Sequence, residues 1–132
     1  LVTPLGFRID EHAVRRAGLD YWPLVELHVH DSLAQAQAVV SELTHRDHTR
    51  TADSWLFSGR ASQSVFDQHL AMGDALVFGK ESVGLDERLL QARTDRVLAI
   101  PTAGPVRSLN LANSVAIVVY EALRKNGLTQ LA

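Results

Sequence analysis

The chain has 132 residues, 46% of them hydrophobic and 21% charged, and a formal net charge of −2. That size suits one domain with one core, and no apolar run approaches the roughly 20 residues of a membrane span. There are no cysteines, which excludes disulfides, thiolate metal sites and cysteine nucleophiles; the acidic balance argues against a non-specific nucleic-acid coat.

No secretory pattern opens the chain, so a cytoplasmic location is the default expectation. Arg15-Arg16, Arg60, Arg107 and Arg124-Lys125 offer a local basic patch despite the net charge. The chain starts at Leu1 and enters almost at once on Pro4-Leu5-Gly6, as expected if a preceding element had been cut away.

His12–Ala17 reads as a short helix starting near Asp10, with Gly18 as its stop. Leu24–Val29 alternates through Val25, Leu27 and Val29 and reads as a strand. Asp31-Ser32 supplies an N-cap for a helix through about Leu43, and His45–Asp53 reads as a polar loop. Trp55–Phe57, Ala75–Phe78 and Val97–Ile100 are short apolar strands. A short helix is expected near Asp86–Gln91. The last helix runs from about Leu109 to Lys125, buried on most sides, with Gly127 just past its end.

Short apolar strands alternating with helices predict an α/β fold with a mainly parallel sheet flanked by helices. In such sheets ligands bind beyond the carboxyl ends of the strands. Three loops qualify, Ser58–Ser62, Gly79–Leu85 and Pro101–Asn110, each with Gly or small residues that let backbone approach a ligand. The third opens the last helix. Arg107, Ser108, Asn110 and Asn113 stand at its mouth, where Ser and Asn either cap the helix or present hydrogen bonds to a ligand.

Other patterns carry less. His28-Val29-His30-Asp31 puts two imidazoles on one strand face but lacks the third and fourth ligands of a metal site, so it reads as a strand running into a helix cap. His45-Arg46-Asp47-His48 reads as solvated loop. Gly79-Lys80-Glu81-Ser82-Val83-Gly84 follows a strand but matches neither the dinucleotide fingerprint nor the P-loop. Ser108 has no His/Asp pair in motif context, so no hydrolase triad is supported. Asp74, Glu81 and Asp86 are each candidates for a general base, and spacing does not choose among them.

Gly79-Lys80-Glu81-Ser82-Val83-Gly84-Leu85, then Ile100-Pro101 and Arg107-Ser108-Leu109-Asn110-Leu111-Ala112-Asn113-Ser114-Val115, resembles the second and third motifs of the SPOUT RNA methyltransferases. Arg15-Arg16-Ala17-Gly18-Leu19-Asp20-Tyr21, Pro4-Leu5-Gly6-Phe7 and Trp55-Leu56-Phe57-Ser58 are similar to segments of one group within them, the TrmL/YibK-like tRNA wobble-nucleotide 2′-O-methyltransferases. The resemblance covers nearly the whole chain in order. It implies a single domain over 1–132 whose C-terminal part forms a deep trefoil knot, a rare exception to chain-threading rules. It implies S-adenosylmethionine bound at the knot crossings, with Phe57, Gly79, Ile100, Ser108 and Leu109 as contacts. It implies methyl transfer to a ribose 2′-hydroxyl of cytidine or uridine 34, with Ser108 and Asn110 at the reaction centre. Glu81 would fix its loop, and Arg60 and Arg107 would hold phosphates. The implied partners are a tRNA anticodon stem-loop and a second copy of the chain, packed through the knot helices; neither a membrane nor a metal is implied.

Two features depart from that group. Its opening strand and Asn-Thr-Gly-Asn…Arg motif, whose Arg is the proposed proton acceptor, have no counterpart here, so roughly 30 expected residues are missing from the domain. Lys80 stands where close relatives usually have Pro, and Ala112 where they usually have Ser. Alternative readings are a 2′-O-methyltransferase of another tRNA or rRNA nucleotide, and a knotted domain that binds RNA or cofactor without catalysis.

Overall fold

The computed structural model describes residues 1–47, 52–105 and 109–127. Its centre is an all-parallel four-stranded sheet built from β1 (Ser54–Phe57), β2 (Gln63–Ser64), β3 (Ala75–Phe78) and β4 (Val97–Ala99), in the order β2-β4-β1-β3. Helices α1 (Glu11–Arg16), α2 (Leu33–Asp47), α3 (Glu87–Ala92) and α4 (Leu111–Lys125) accompany it. The three apolar strands therefore form where the sequence places them, and β2 is an addition too short to leave a periodic signal. Parallel strands covered on both faces read as continuous apolar runs, which is the pattern of Trp-Leu-Phe in β1. Leu56 and Leu98 are fully buried, and Trp55, Phe57, Val65, Leu70, Leu98 and Val118 make one cluster.

Local chemistry explains the helix starts. The Asp10 carboxylate accepts from the Ala13 N–H and caps α1, and Gly18 follows its end at φ 67°. The Ser32 hydroxyl accepts from the Gln35 N–H ahead of α2. Asp86 accepts from the N–H groups of Arg88 and Leu89 and caps α3. Asn110, one residue past the expected start, caps α4 by accepting from the Asn113 N–H.

Three expectations need correction. Leu24–Val29 is not a strand: Trp22–Leu24 is a 3-10 turn around Pro23, and of the residues after it His30 alone pairs, in parallel, with Val2. Alternation marks a strand with one face covered, but Val25 and Val29 are exposed, and Leu24 is 86% exposed. The segment His45–Asp53 is not all loop, because α2 continues to Asp47; a helix-compatible polar run carries no stop signal. Residues 48–51 lie outside the described residues. Helix α4 is buried along one stripe centred on Val118 rather than on most sides, and Tyr120 is 74% exposed.

The amino ends of the strands are tied by one carboxylate. Asp74 accepts from the backbone N–H of Asp53 (2.9 Å) and Ala71 (2.9 Å) and from the Trp55 indole N–H (3.0 Å). Arg96 lies 5.0 Å over the Trp55 ring and 3.5 Å from Asp53. Helix α4 is anchored at its carboxyl end. The Lys125 ammonium donates to the carbonyls of Val65 (3.1 Å), Phe66 (2.6 Å) and Gln68 (2.6 Å), and the Asn126 amide donates to Leu70 (2.6 Å). Glu121 faces both Arg124 (2.8 Å) and Lys125 (3.2 Å).

Replacing Asp74 with Ala leaves three donors without their acceptor and should cost about 3 kcal/mol, read by chemical denaturation. The hydrogen bond from Arg124, with Lys125 beside it, lowers the Glu121 carboxyl from 4.5 to about 2. A depressed carboxylate stabilises the fold above its unfolded value and loses that contribution as pH falls through the folded one. Wild type should therefore lose more melting temperature than Glu121→Gln as pH is lowered from 4.5 to about 2, and the two curves should run parallel above that window.

Candidate functional site

The carboxyl ends of β1, β3 and β4 open into one cleft of about 1250 Å³. Phe57 ends β1 and Phe78 ends β3; the strand register sets them side by side, and their rings stack at 4.6 Å between centroids and 12° between planes. They form the apolar floor. Ile100, just past β4, packs against the same core cluster and lines the cleft. The Ser58 N–H donates to the Leu98 carbonyl at 3.0 Å, tying the start of the first loop to β4.

The second loop is a tight turn. The Gly84 N–H donates to the Lys80 carbonyl at 2.7 Å, and the turn folds back on Gly79. A Cβ at Gly79 would collide with the backbone of Gly84 and Leu85. The need for glycine at 79 is thus the loop's contact with itself, not only room for a ligand. Gly84 supplies the turn's positive φ, 73°.

The third loop meets the second through one hydrogen bond. The Asn110 amide donates to a Glu81 carboxylate oxygen at 3.1 Å, while its carbonyl oxygen accepts from the Asn113 N–H at 3.2 Å. The Ser114 hydroxyl donates to the Asn110 backbone carbonyl at 3.1 Å. Asn110 therefore does both things expected of a polar residue at the helix mouth: it caps α4 and holds the opposite loop.

Of the expected site residues, the fold brings Phe57, Gly79, Ile100, Leu109 and Arg60 onto the wall of this one cleft, and Asn110 reaches its edge through Glu81. Arg107 and Ser108 lie outside the described residues. Arg60 stands at the mouth, exposed, with its guanidinium 3.2 Å from Glu87 on α3. Glu87 had no signal in the sequence; it is the first residue of a short helix, and its partner is 27 positions away. The three general-base candidates separate by their hydrogen-bond partners. Asp74 is spent on backbone and indole donors at the far end of the sheet, and Asp86 caps α3. Only Glu81 faces the cleft with a polar side-chain partner. His28 bonds Glu26 at 2.8 Å and stacks on His30 at 6.3 Å, and no group of ligands that would hold a metal occurs among the described residues.

Known proteins are similar to this chain. A Geobacillus stearothermophilus protein is 40% identical over 129 residues, covering 95% of this chain and 76% of its own length. A tRNA (cytidine(34)-2'-O)-methyltransferase of Saccharophagus degradans is 37% identical over 131 residues, covering 96% of this chain and 77% of its own. A solved structure concerned with 2-OH methylation of C/U34 on tRNA superposes with a TM-score of 0.80 at 43% identity, covering 96% of this chain and 77% of that one. The SpoU methyltransferase AviRb of Streptomyces viridochromogenes, solved with AdoMet, shares the fold at a TM-score of 0.74 and 23% identity, over 96% of this chain and 48% of its own. The SpoU rRNA Methylase family matches residues 1–120, and the chain belongs to that family.

Proposed function

We propose that the chain is an S-adenosylmethionine-dependent tRNA 2′-O-methyltransferase acting on the ribose of the wobble nucleotide, cytidine or uridine 34. The observation that carries this reading is the convergence of the three strand-end loops on one cleft, the second and third joined by the Glu81–Asn110 bond, in a chain 37% identical along nearly its whole length to an enzyme of that activity. A cytoplasmic location goes with that substrate. Among the described residues no helix is long and apolar enough to cross a membrane.

The residues present fit the cofactor. Phe57, Ile100 and Leu109 give an apolar wall for an adenine ring, and the self-closed Gly79–Gly84 turn brings backbone rather than side chains to the rim. Gly79 and Ser108 complete the expected contacts. When bound there, the cofactor supplies a methyl group on a cationic sulfur. The protein's task is to align the ribose oxygen with that group and to restrict both. Asn110 is held by the α4 cap on one side and Glu81 on the other, so its position is set before substrate arrives. Ser108 lies two residues earlier in the same loop and is assigned to the reaction centre with it. Arg60 and Arg107 are assigned to phosphates; at Arg60 an incoming phosphate would compete with Glu87 for an exposed guanidinium.

Residues 1–132 belong to one methyltransferase domain in this reading, its C-terminal segment threaded as a deep trefoil knot. The partner is a tRNA anticodon stem-loop, bound by a homodimer. Helix α4 supports the dimer: Ala112, Ala116 and Tyr120 leave an apolar face exposed on the side away from Val118, where an isolated amphipathic helix would carry polar residues.

Incubation with unmodified tRNA and S-adenosylmethionine, followed by mass spectrometry of nucleosides, should detect 2′-O-methylation at position 34. Asn110→Ala and Ser108→Ala should lower kcat by about 100-fold, and Glu81→Gln should fall between them and wild type because it keeps a hydrogen-bond acceptor for Asn110. Absence of ribose methylation at any tRNA position sinks the assignment, and methylation only elsewhere redirects it to another nucleotide. Ala116→Glu puts a charge in the proposed dimer face and should shift the sedimenting species from dimer to monomer.

A further inference from the structure

The charged side chains that line the cleft, among the described residues, are Arg60, Lys80, Glu81, Asp86 and Glu87. All but one are already engaged within the protein. Arg60 and Glu87 face each other at 3.2 Å. Glu81 accepts from the Asn110 amide at 3.1 Å. Asp86 accepts from the N–H groups of Arg88 and Leu89 at 2.8 and 3.3 Å. The Lys80 ammonium has no acceptor and no carboxylate partner among the described residues.

The backbone that carries this ammonium is fixed. Lys80 follows Gly79 at the end of β3 and pairs with Gly84 across the turn, its carbonyl accepting from the Gly84 N–H at 2.7 Å. Exposure rises along the loop: Phe78 and Gly79 are half-buried, and residues 80–84 are exposed. Lys80 therefore stands on the solvent side of the apolar wall made by Phe57 and Ile100. An anion reaching Arg60 must displace Glu87, whereas an anion reaching Lys80 displaces only water. A large polyanion arrives from that side. A small zwitterion seated against the apolar wall lies further in.

We propose that Lys80 binds a backbone phosphate of the substrate RNA at the rim of the cleft. A compact point charge on a flexible stem suits a contact that needs charge and reach more than a fixed fork of donors. Lys80 also departs from the residue usual in the group the sequence resembles, so the contact belongs to this chain and is not carried over from the motif. The inference rests on the RNA substrate proposed above. It names a binding residue and no step of the reaction, so its test needs no methyl transfer.

Binding of a fluorescein-labelled, unmodified tRNA anticodon stem-loop is followed by anisotropy between about 50 and 200 mM salt for wild type, Lys80→Met and Lys80→Arg. Lys80→Met should weaken binding by about fivefold at the lowest salt and flatten the slope of log affinity against log salt by about 0.7 to 0.9, the loss of one phosphate contact. Lys80→Arg should restore both, because it keeps the charge. The melting temperature of Lys80→Met should match wild type, since the ammonium touches nothing in the fold. Its affinity for S-adenosylmethionine without RNA, read by calorimetry, should match as well. Three results overturn the inference: equal salt slopes for wild type and Lys80→Met; a slope flattened as much by Lys80→Arg as by Lys80→Met; or weakened cofactor binding with RNA binding unchanged, which assigns the ammonium to the cofactor's carboxylate. In each of these wild type still binds the RNA and the methyltransferase reading stands. A wild-type protein that binds no stem-loop removes both.

Discussion

Helix α4 is held at both ends, and the cleft exists because of it. At the carboxyl end, Lys125 and Asn126 donate to the carbonyls of Val65, Phe66, Gln68 and Leu70, in and just after a 3-10 turn. In the middle, Val118 is fully buried against the sheet. With those points set, the helix axis delivers Asn110 beside Glu81. One side chain then serves as helix cap and as a link between loops distant in sequence. The catalytic reading of Asn110 is a consequence of this double use, since a residue fixed from two sides loses little freedom when a substrate binds.

The sheet supplies the complementary constraint. With β1 between β4 and β3, the strand ends present Phe57, Phe78 and Ile100 at one level, and the Phe57–Phe78 stack fills the space beneath the loops. The opposite end is closed by Asp74, Trp55 and Arg96, so the two ends of the sheet have separate tasks. Polar groups at the amino end satisfy backbone and indole donors. Polar groups at the carboxyl end meet one another across loops and remain accessible.

The molecule is uneven in how completely its surfaces are used. The face of α4 around Ala116 and Tyr120, the outer edge of β3 and the segment around Leu24 and Val25 all expose apolar side chains or unpaired backbone. Soluble domains ordinarily protect such edges. One of these surfaces, the face of α4, has a proposed occupant, a second copy of the chain.

The strands at Trp55–Phe57 and Ala75–Phe78, the caps at Asp10 and Ser32 and the stops at Gly18 and Gly127 are local: each depends on neighbours within a turn or on a continuous apolar run, so the linear order of residues carried the information. The motif order from Gly79 to Ser114 likewise identified the family from the chain alone. What the tertiary structure decided was every relation between distant positions. Alternation at Val25, Leu27 and Val29 did not produce a strand, since a ladder needs a partner that no local pattern supplies. The pairing of Arg60 with Glu87, the commitment of Asp74 to donors at the far end of the sheet and the meeting of Glu81 with Asn110 followed only once the sheet order and the docking of α4 had set which loops are neighbours.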